Sequence, residues 1–145
     1  MEEEKHLIAD IPQKALIVHH GKVLVVRDAK GHWQLPGGRM NEGEEPKEGL
    51  LRELQEELGA EVDITGIYDT FVFQSASGLW HYVVVYICML VSDPASLRDL
   101  AGEAQEMKWI GSAEEISLLE NDTHTMWSGY KKALETYFEH GTKFN

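Results

Sequence analysis

Basic residues are scarce in this chain: 13 Lys and Arg stand against 25 Asp and Glu, a formal net charge of −12 over 145 residues. A surface of that sign repels nucleic-acid phosphates and anionic lipid, so neither duplex nor membrane binding is expected. A small phosphorylated ligand stays open, because a bound divalent cation inverts the local field. There is one cysteine, Cys88, which excludes an internal disulfide. It lies inside the apolar run Val83–Val91, where a small buried core residue is the expected role. That run is too short to cross a bilayer as a helix. The start, Met1-Glu2-Glu3-Glu4-Lys5, lacks the basic head and apolar centre of a signal peptide, so a cytoplasmic location is expected. No Pro/Gly/Ser-rich linker, low-complexity tract or repeat breaks the sequence. A single domain over 1–145 is expected, with residues 1–13 as a partly frayed polar lead-in.

Lys14–His20 and Lys22–Arg27 are β-rich runs around Gly21 and predict a hairpin. Trp33-Gln34-Leu35 runs into Pro36-Gly37-Gly38, which reads as a strand stop. Glu45–Leu58 has helical spacing, with Pro46 in the first turn and Gly59 placed for a left-handed C-cap. Leu50, Leu51, Leu54 and Leu58 fall on one side, and the leucines are expected to dock that helix. Val62–Gln74 and Leu79–Val91 predict long strands, the first bent at Gly66 and the second buried on both faces. A short strand over Gln105–Ile110, a helix capped by Ser112 and Glu115, and a helix over about Thr123–Glu139 complete the pattern. Strands alternate with helices, which gives an α/β class with a mixed sheet.

The residues that suggest chemistry lie on the helix after Gly38. At about 100° per residue, Glu53, Glu56 and Glu57 share an arc of about 100°, away from the leucines. Three like charges this close repel unless something neutralises them. Arg52, four residues before Glu56, does so in part. Hard oxygen ligands without a His/Cys cluster favour Mg²⁺ or Mn²⁺. Mg²⁺ binds through carboxylates together with substrate phosphates, so the cluster points to phosphoryl chemistry. A solvated acidic face is the plainer reading, and the flanking residues decide against it. Gly38, Glu44, Arg52, Glu53, Glu56, Glu57 and Gly59 satisfy Gly-x5-Glu-x7-Arg-Glu-U-x-Glu-Glu-x-Gly-U, where U is bulky and apolar. Composition alone gives such a match a chance below roughly 10⁻⁶ per start position.

This string, entered through Trp33-Gln34-Leu35-Pro36-Gly37-Gly38, resembles the signature of the Nudix hydrolase family. Ala60 at the last position is smaller than the usual aliphatic. The resemblance implies an α/β/α sandwich with a mixed sheet and a Mg²⁺-dependent hydrolase of a phosphoanhydride in a nucleoside diphosphate derivative. Carried over by position, Glu53 and Glu57 match the main metal ligands and Glu56 a further ligand or base. Gly38 matches a carbonyl ligand, and Arg52 with Glu44 a pair that braces the helix. Gly59 is structural. Glu103 and Glu106, ahead of Met107-Lys108-Trp109-Ile110, are further candidates for the proton acceptor. Arg39, Arg27 and Trp80 are candidates for substrate contact, Trp80 because it follows a turn at Gly78. Trp33, Phe71 and Phe73 are also candidates for base stacking, with a place in the core the expected role, and His81 carries no assigned role.

The resemblance leaves the substrate open. Ala76 stands where ADP-ribose hydrolases tend to have Pro, and Ser77 where dinucleoside-polyphosphate hydrolases tend to have Tyr. What remains resembles the small MutT-like group, which acts on nucleoside triphosphates. ADP-ribose, sugar-nucleotide or dinucleoside-polyphosphate hydrolysis and a non-catalytic nucleotide-binding module are the alternatives. An isomerase of isoprenoid diphosphates would want a positioned cysteine, and Cys88 is badly placed for that. A monomer and a homodimer are both compatible with the sequence.

Overall fold

A computed structural model describes residues 3–119 and 127–140. Its strands are β1 (Ala9–Asp10), β2 (Pro12–His19), β3 (Lys22–Asp28), β4 (Trp33–Gln34), β5 (Gly37–Arg39), β6 (Val62–Gln74), β7 (Trp80–Leu90) and β8 (Ala104–Ile110). The helices are α1 (Pro46–Leu58), α2 (Ala113–Ser117) and α3 (Trp127–His140), with a single 3₁₀ turn at Pro94–Ser96. All eight strands join one mixed sheet. The long strand β7 runs parallel to β1 and β2 on one side and antiparallel to β6 on the other.

Alternation along the strands builds two cores, one on each face. Leu16 and Val18, Val23 and Val25, and Val83, Val85 and Ile87 face one side, where Ile116 of α2 and Trp127, Tyr130, Leu134 and Tyr137 of α3 cover them. Ala15, Ile17, Leu24, Tyr86 and Cys88 face the other side and meet Leu50, Leu54 and Leu58 of α1. A sheet covered on both faces explains why β2 and the centre of β7 read as continuous apolar runs. The layering is α/β/α, as the resemblance implies. No described helix is long and apolar enough to cross a membrane.

Three local readings change. Leu51 is 40% exposed; the docking stripe is Leu50, Leu54 and Leu58, at i, i+4 and i+8 on the helix. The lead-in enters the sheet at residue 9, since Ala9 and Asp10 pair with Trp80 and His81, and Pro12 and Gln13 are buried in β2. Gly37–Arg39 continues as a strand, pairing antiparallel with Pro12–Lys14. A Cβ at Gly37, where φ is 137°, would meet the Gln13 carbonyl oxygen at 2.1 Å, so the glycine that reads as a stop is what admits this close pairing. Helix α3 is described from Trp127 only; its expected start at Thr123 lies outside the described residues.

Candidate active site

Helix α1 starts and stops where the site needs it to. The Pro46 carbonyl accepts a hydrogen bond from Gln13 Nε2 (2.8 Å), and Gln13 Oε1 accepts one from the Tyr86 hydroxyl (2.9 Å). The first turn is thereby fixed to the sheet. At the other end Gly59 takes φ 65°, and its N–H caps the helix. The Glu57 and Leu58 carbonyls, otherwise orphaned at the helix end, accept the N–H groups of Leu100 and Arg98. Those two bonds bring the loop after β7 over α1. Asp99 then accepts from the N–H groups of Glu103 and Ala104, which sets Glu103 at the mouth of the cleft.

On α1, Arg52 is the hub. Its guanidinium donates to both Glu44 oxygens (2.7 and 3.1 Å), to Glu53 Oε1 (3.1 Å) and to Glu56 Oε2 (3.0 Å). A planar fork suits this bidentate role. The Arg52 guanidinium holds the Glu44 carboxyl below its usual range, assisted by the Asn41 N–H. Two glycines make room. A Cβ at Gly49 would lie 2.7 Å from Glu44 Cδ, and one at Gly38 would lie 2.8 Å from Glu53 Cδ. Glu53 is thus held between Arg52 and the backbone of β5.

Glu57 is half-buried beside Glu53. Burial pushes its carboxyl up to about 7, a hydrogen bond with Glu53 and the charges of Glu53 and Glu103 act in the same direction, and the Lys14 charge opposes them. Lys14, from β2, is 7% exposed. Its Nζ donates to Gln34 Oε1 (3.2 Å) and to the Gly37 carbonyl (3.3 Å). Burial lowers its pKa, against the charges of Glu57, Glu53 and Asp28.

Two cavities open on this cluster and share Lys14, Gln34, Gly37, Glu57 and Glu103. The smaller, about 100 Å³, adds Arg27, Asp28 and Asp99. The larger, about 350 Å³, adds Gly38, Arg39, Phe73 and His81. In the larger one His81 stacks on Phe73, with ring centroids 4.5 Å apart, and its Nδ1 is hydrogen-bonded to Asp10. Asp10 also pairs with Arg39 Nε at 3.4 Å.

The structure therefore brings together Gly38, Glu44, Arg52, Glu53, Glu56 and Glu57, with Glu103 opposite them. Arg39 and Arg27 line separate cavities; Arg27 is held by the Gly31 carbonyl and lies 5.9 Å from the Trp33 ring centre. Glu106 pairs with Arg27 across β3 and β8 and lines neither cavity. Trp80 is exposed at the start of β7 and lines neither one. The next residue, His81, is in the wall instead. Lys14 and Gln34 were not singled out by the sequence; Phe73 was expected in the core, and His81 was given no role. Of the first two, only Lys14 carried a signal, as a charged residue opening an otherwise apolar strand.

Among the described residues no three His, Cys, Asp or Glu side chains converge in a set ready to hold a metal ion. Arg52 sits among the carboxylates instead. The donors nonetheless suit a hard divalent cation: they are oxygen only, and Glu53 and Glu57 are close enough to share a proton that a cation can replace.

The NUDIX domain matches residues 14–133, and the chain belongs to that family. It is 39% identical over 67 residues to an 8-oxo-dGTP diphosphatase of Proteus vulgaris, covering 46% of this chain and 52% of that protein. It is 31% identical over 102 residues to Nudix hydrolase 26, chloroplastic, of Arabidopsis thaliana, covering 66% of this chain and 43% of that one. The chain thus spans about half the length of these curated relatives. The crystal structure of a MutT protein from Methanosarcina mazei superposes with a TM-score of 0.74 at 25% identity, covering 97% of this chain and 100% of the other.

Proposed function

We propose that the chain is a Mg²⁺- or Mn²⁺-dependent hydrolase of a phosphoanhydride bond in a nucleoside diphosphate derivative, acting on nucleoside triphosphates as a MutT-like pyrophosphohydrolase. The observation that carries the proposal is the Glu53–Glu57 pair, two hydrogen-bonded carboxyls braced by Arg52 and opening on a cleft that also holds a buried lysine. Two carboxyls this close need a proton or a cation between them. The similarity to an 8-oxo-dGTP diphosphatase and to the nucleoside triphosphatase NudI of an Enterobacter strain supports the substrate class. We take residues 1–145 as one domain.

Glu53, Glu57 and the Gly38 carbonyl would hold the cation, with Glu56 joining once released from Arg52. When bound, the cation neutralises charge on the substrate phosphates and acidifies water. Arg52 and Glu44 orient Glu53. Glu103 is the best placed proton acceptor, because it faces both cavities and is not tied to Arg52. Glu56 is tied to Arg52 and 61% exposed, and Glu106 lies outside both cavities. Phosphate oxygens meet Arg39 or Arg27 at the two ends of the cleft.

Product analysis tests this reading. The protein is incubated with Mg²⁺ and nucleoside triphosphates, oxidised nucleotides, ADP-ribose, sugar nucleotides and dinucleoside polyphosphates, beside Glu57→Gln and Glu103→Gln. Release of pyrophosphate and a nucleoside monophosphate, lost in Glu57→Gln, is the expected result. Retained turnover in Glu57→Gln sinks the assignment of the site. Silence across the panel with nucleotide binding intact identifies a non-catalytic module.

A further inference from the structure

Lys14 is the only charged side chain in the buried stretch Pro12–Val18 of β2. Burying an ammonium costs several kcal/mol unless it is paired. The obvious partners are the carboxylates of α1, yet among the described residues none lies within ion-pair distance of Nζ. Its two acceptors, the Gln34 amide oxygen and the Gly37 carbonyl, are both neutral. An ammonium has three protons, and the third has no acceptor among the described residues. Lys14 also lines both cavities, together with Glu57 and Glu103. An amine group buried, with no paired anion among the described residues and facing the place where two cavities meet, is built for an anionic ligand.

We propose that Lys14 contacts phosphate oxygens of the substrate directly and anchors the phosphoanhydride in the cleft without the help of a divalent ion. The assignment rests on the hydrolase reading above and gives that site a second, fixed cation. Gln34 and the Gly37 carbonyl point two of the three protons and so aim the third. Strand β5 exists in part for this: only with Gly37 pairing against Lys14 does its carbonyl reach the ammonium. The competing role is a counter-charge for Glu53 and Glu57, which needs no contact with ligand.

The two roles separate in metal-free protein. Inorganic pyrophosphate is titrated into the full chain in EDTA, with the lysine ε-carbons ¹³C-labelled. The Lys14 signal is identified by its absence from Lys14→Arg or Lys14→Gln, whichever folds. The expected result is saturable binding that shifts the Lys14 signal. Affinity should fall about tenfold to hundredfold in Lys14→Gln and recover in part in Lys14→Arg. Binding that leaves the Lys14 signal in place, equal affinity in Lys14→Gln, or no binding of pyrophosphate at millimolar concentration each overturns the proposal. If Lys14→Gln does not fold, the shift in the wild-type protein decides. Pyrophosphate bound at Lys14 by a protein that turns over no nucleotide leaves this inference standing and removes the hydrolase reading instead.

Discussion

Replacing Glu57 with Gln should stabilise the metal-free protein at alkaline pH, although it removes a group central to the proposed chemistry. In the folded chain burial holds the Glu57 carboxyl at about 7, against an ordinary 4.5. Between those values the folded state keeps a proton that the unfolded state has lost. Stability therefore falls as pH rises through that window and is level above it. A gap of this size corresponds to about 3.4 kcal/mol at full strength; screening at a half-exposed carboxyl reduces it to about 1–2 kcal/mol. Gln keeps a donor for Glu53 and carries no charge, so it escapes the penalty. For a chain of this length the gain is about 3–6 °C in Tm. Thermal unfolding of both proteins in EDTA, at steps from pH 5 to pH 8, measures the difference. It should be near zero at pH 5 and largest at pH 8, and titratable groups common to both proteins cancel. Added Mg²⁺ should narrow the gap by stabilising the wild type. A gap that is the same at every pH, or a variant less stable at pH 8, refutes the account of Glu57.

Three further outcomes follow from the packing. Gly38→Ala should lower kcat about 100-fold with little change in Tm, because its Cβ displaces the Glu53 carboxylate and not the core; steady-state kinetics beside a melting curve checks this. Arg52→Lys should lose activity by a similar factor, about 100-fold, since one ammonium cannot hold Glu44, Glu53 and Glu56 together, and Arg52→Met should be no better. Gly129→Ala should destabilise by about 1–3 kcal/mol despite its better helix propensity, because the new Cβ would lie 2.3 Å from the Phe71 ring; chemical denaturation measures the loss, and Phe71→Leu in the same chain should recover part of it.

The elements legible in the sequence were those with local causes. The spacing of leucines and glutamates, Gly59 past the last of them, and the Ser112 cap each act within a few residues, and helices α1 and α2 appear where they were expected. Strand β7 and the bend at Gly66 were legible because apolar runs and lone glycines are local signals too. What could not be read depends on partners far along the chain. Gly37 and Gly38 look like a stop until the Gln13 backbone is known to lie against them. Leu51 and Leu50 differ by one position on a wheel, and only the sheet decides which is covered. The glutamates of the site were marked by spacing, whereas Lys14 and His81 enter it through strand pairing, which no short motif records.

Cys88 offers a use for its own inaccessibility. It is fully buried in β7, between Ile17 of β2 and Ile64 of β6, and burial pushes its thiol up to about 12. Reaction with an alkylating reagent therefore requires both a thiolate and the parting of the central strands. The lone thiol is a native reporter of opening at the middle of the sheet, free of background from any second cysteine. Its labelling rate gives a stability scale on which every variant above can be ranked without a spectroscopic probe.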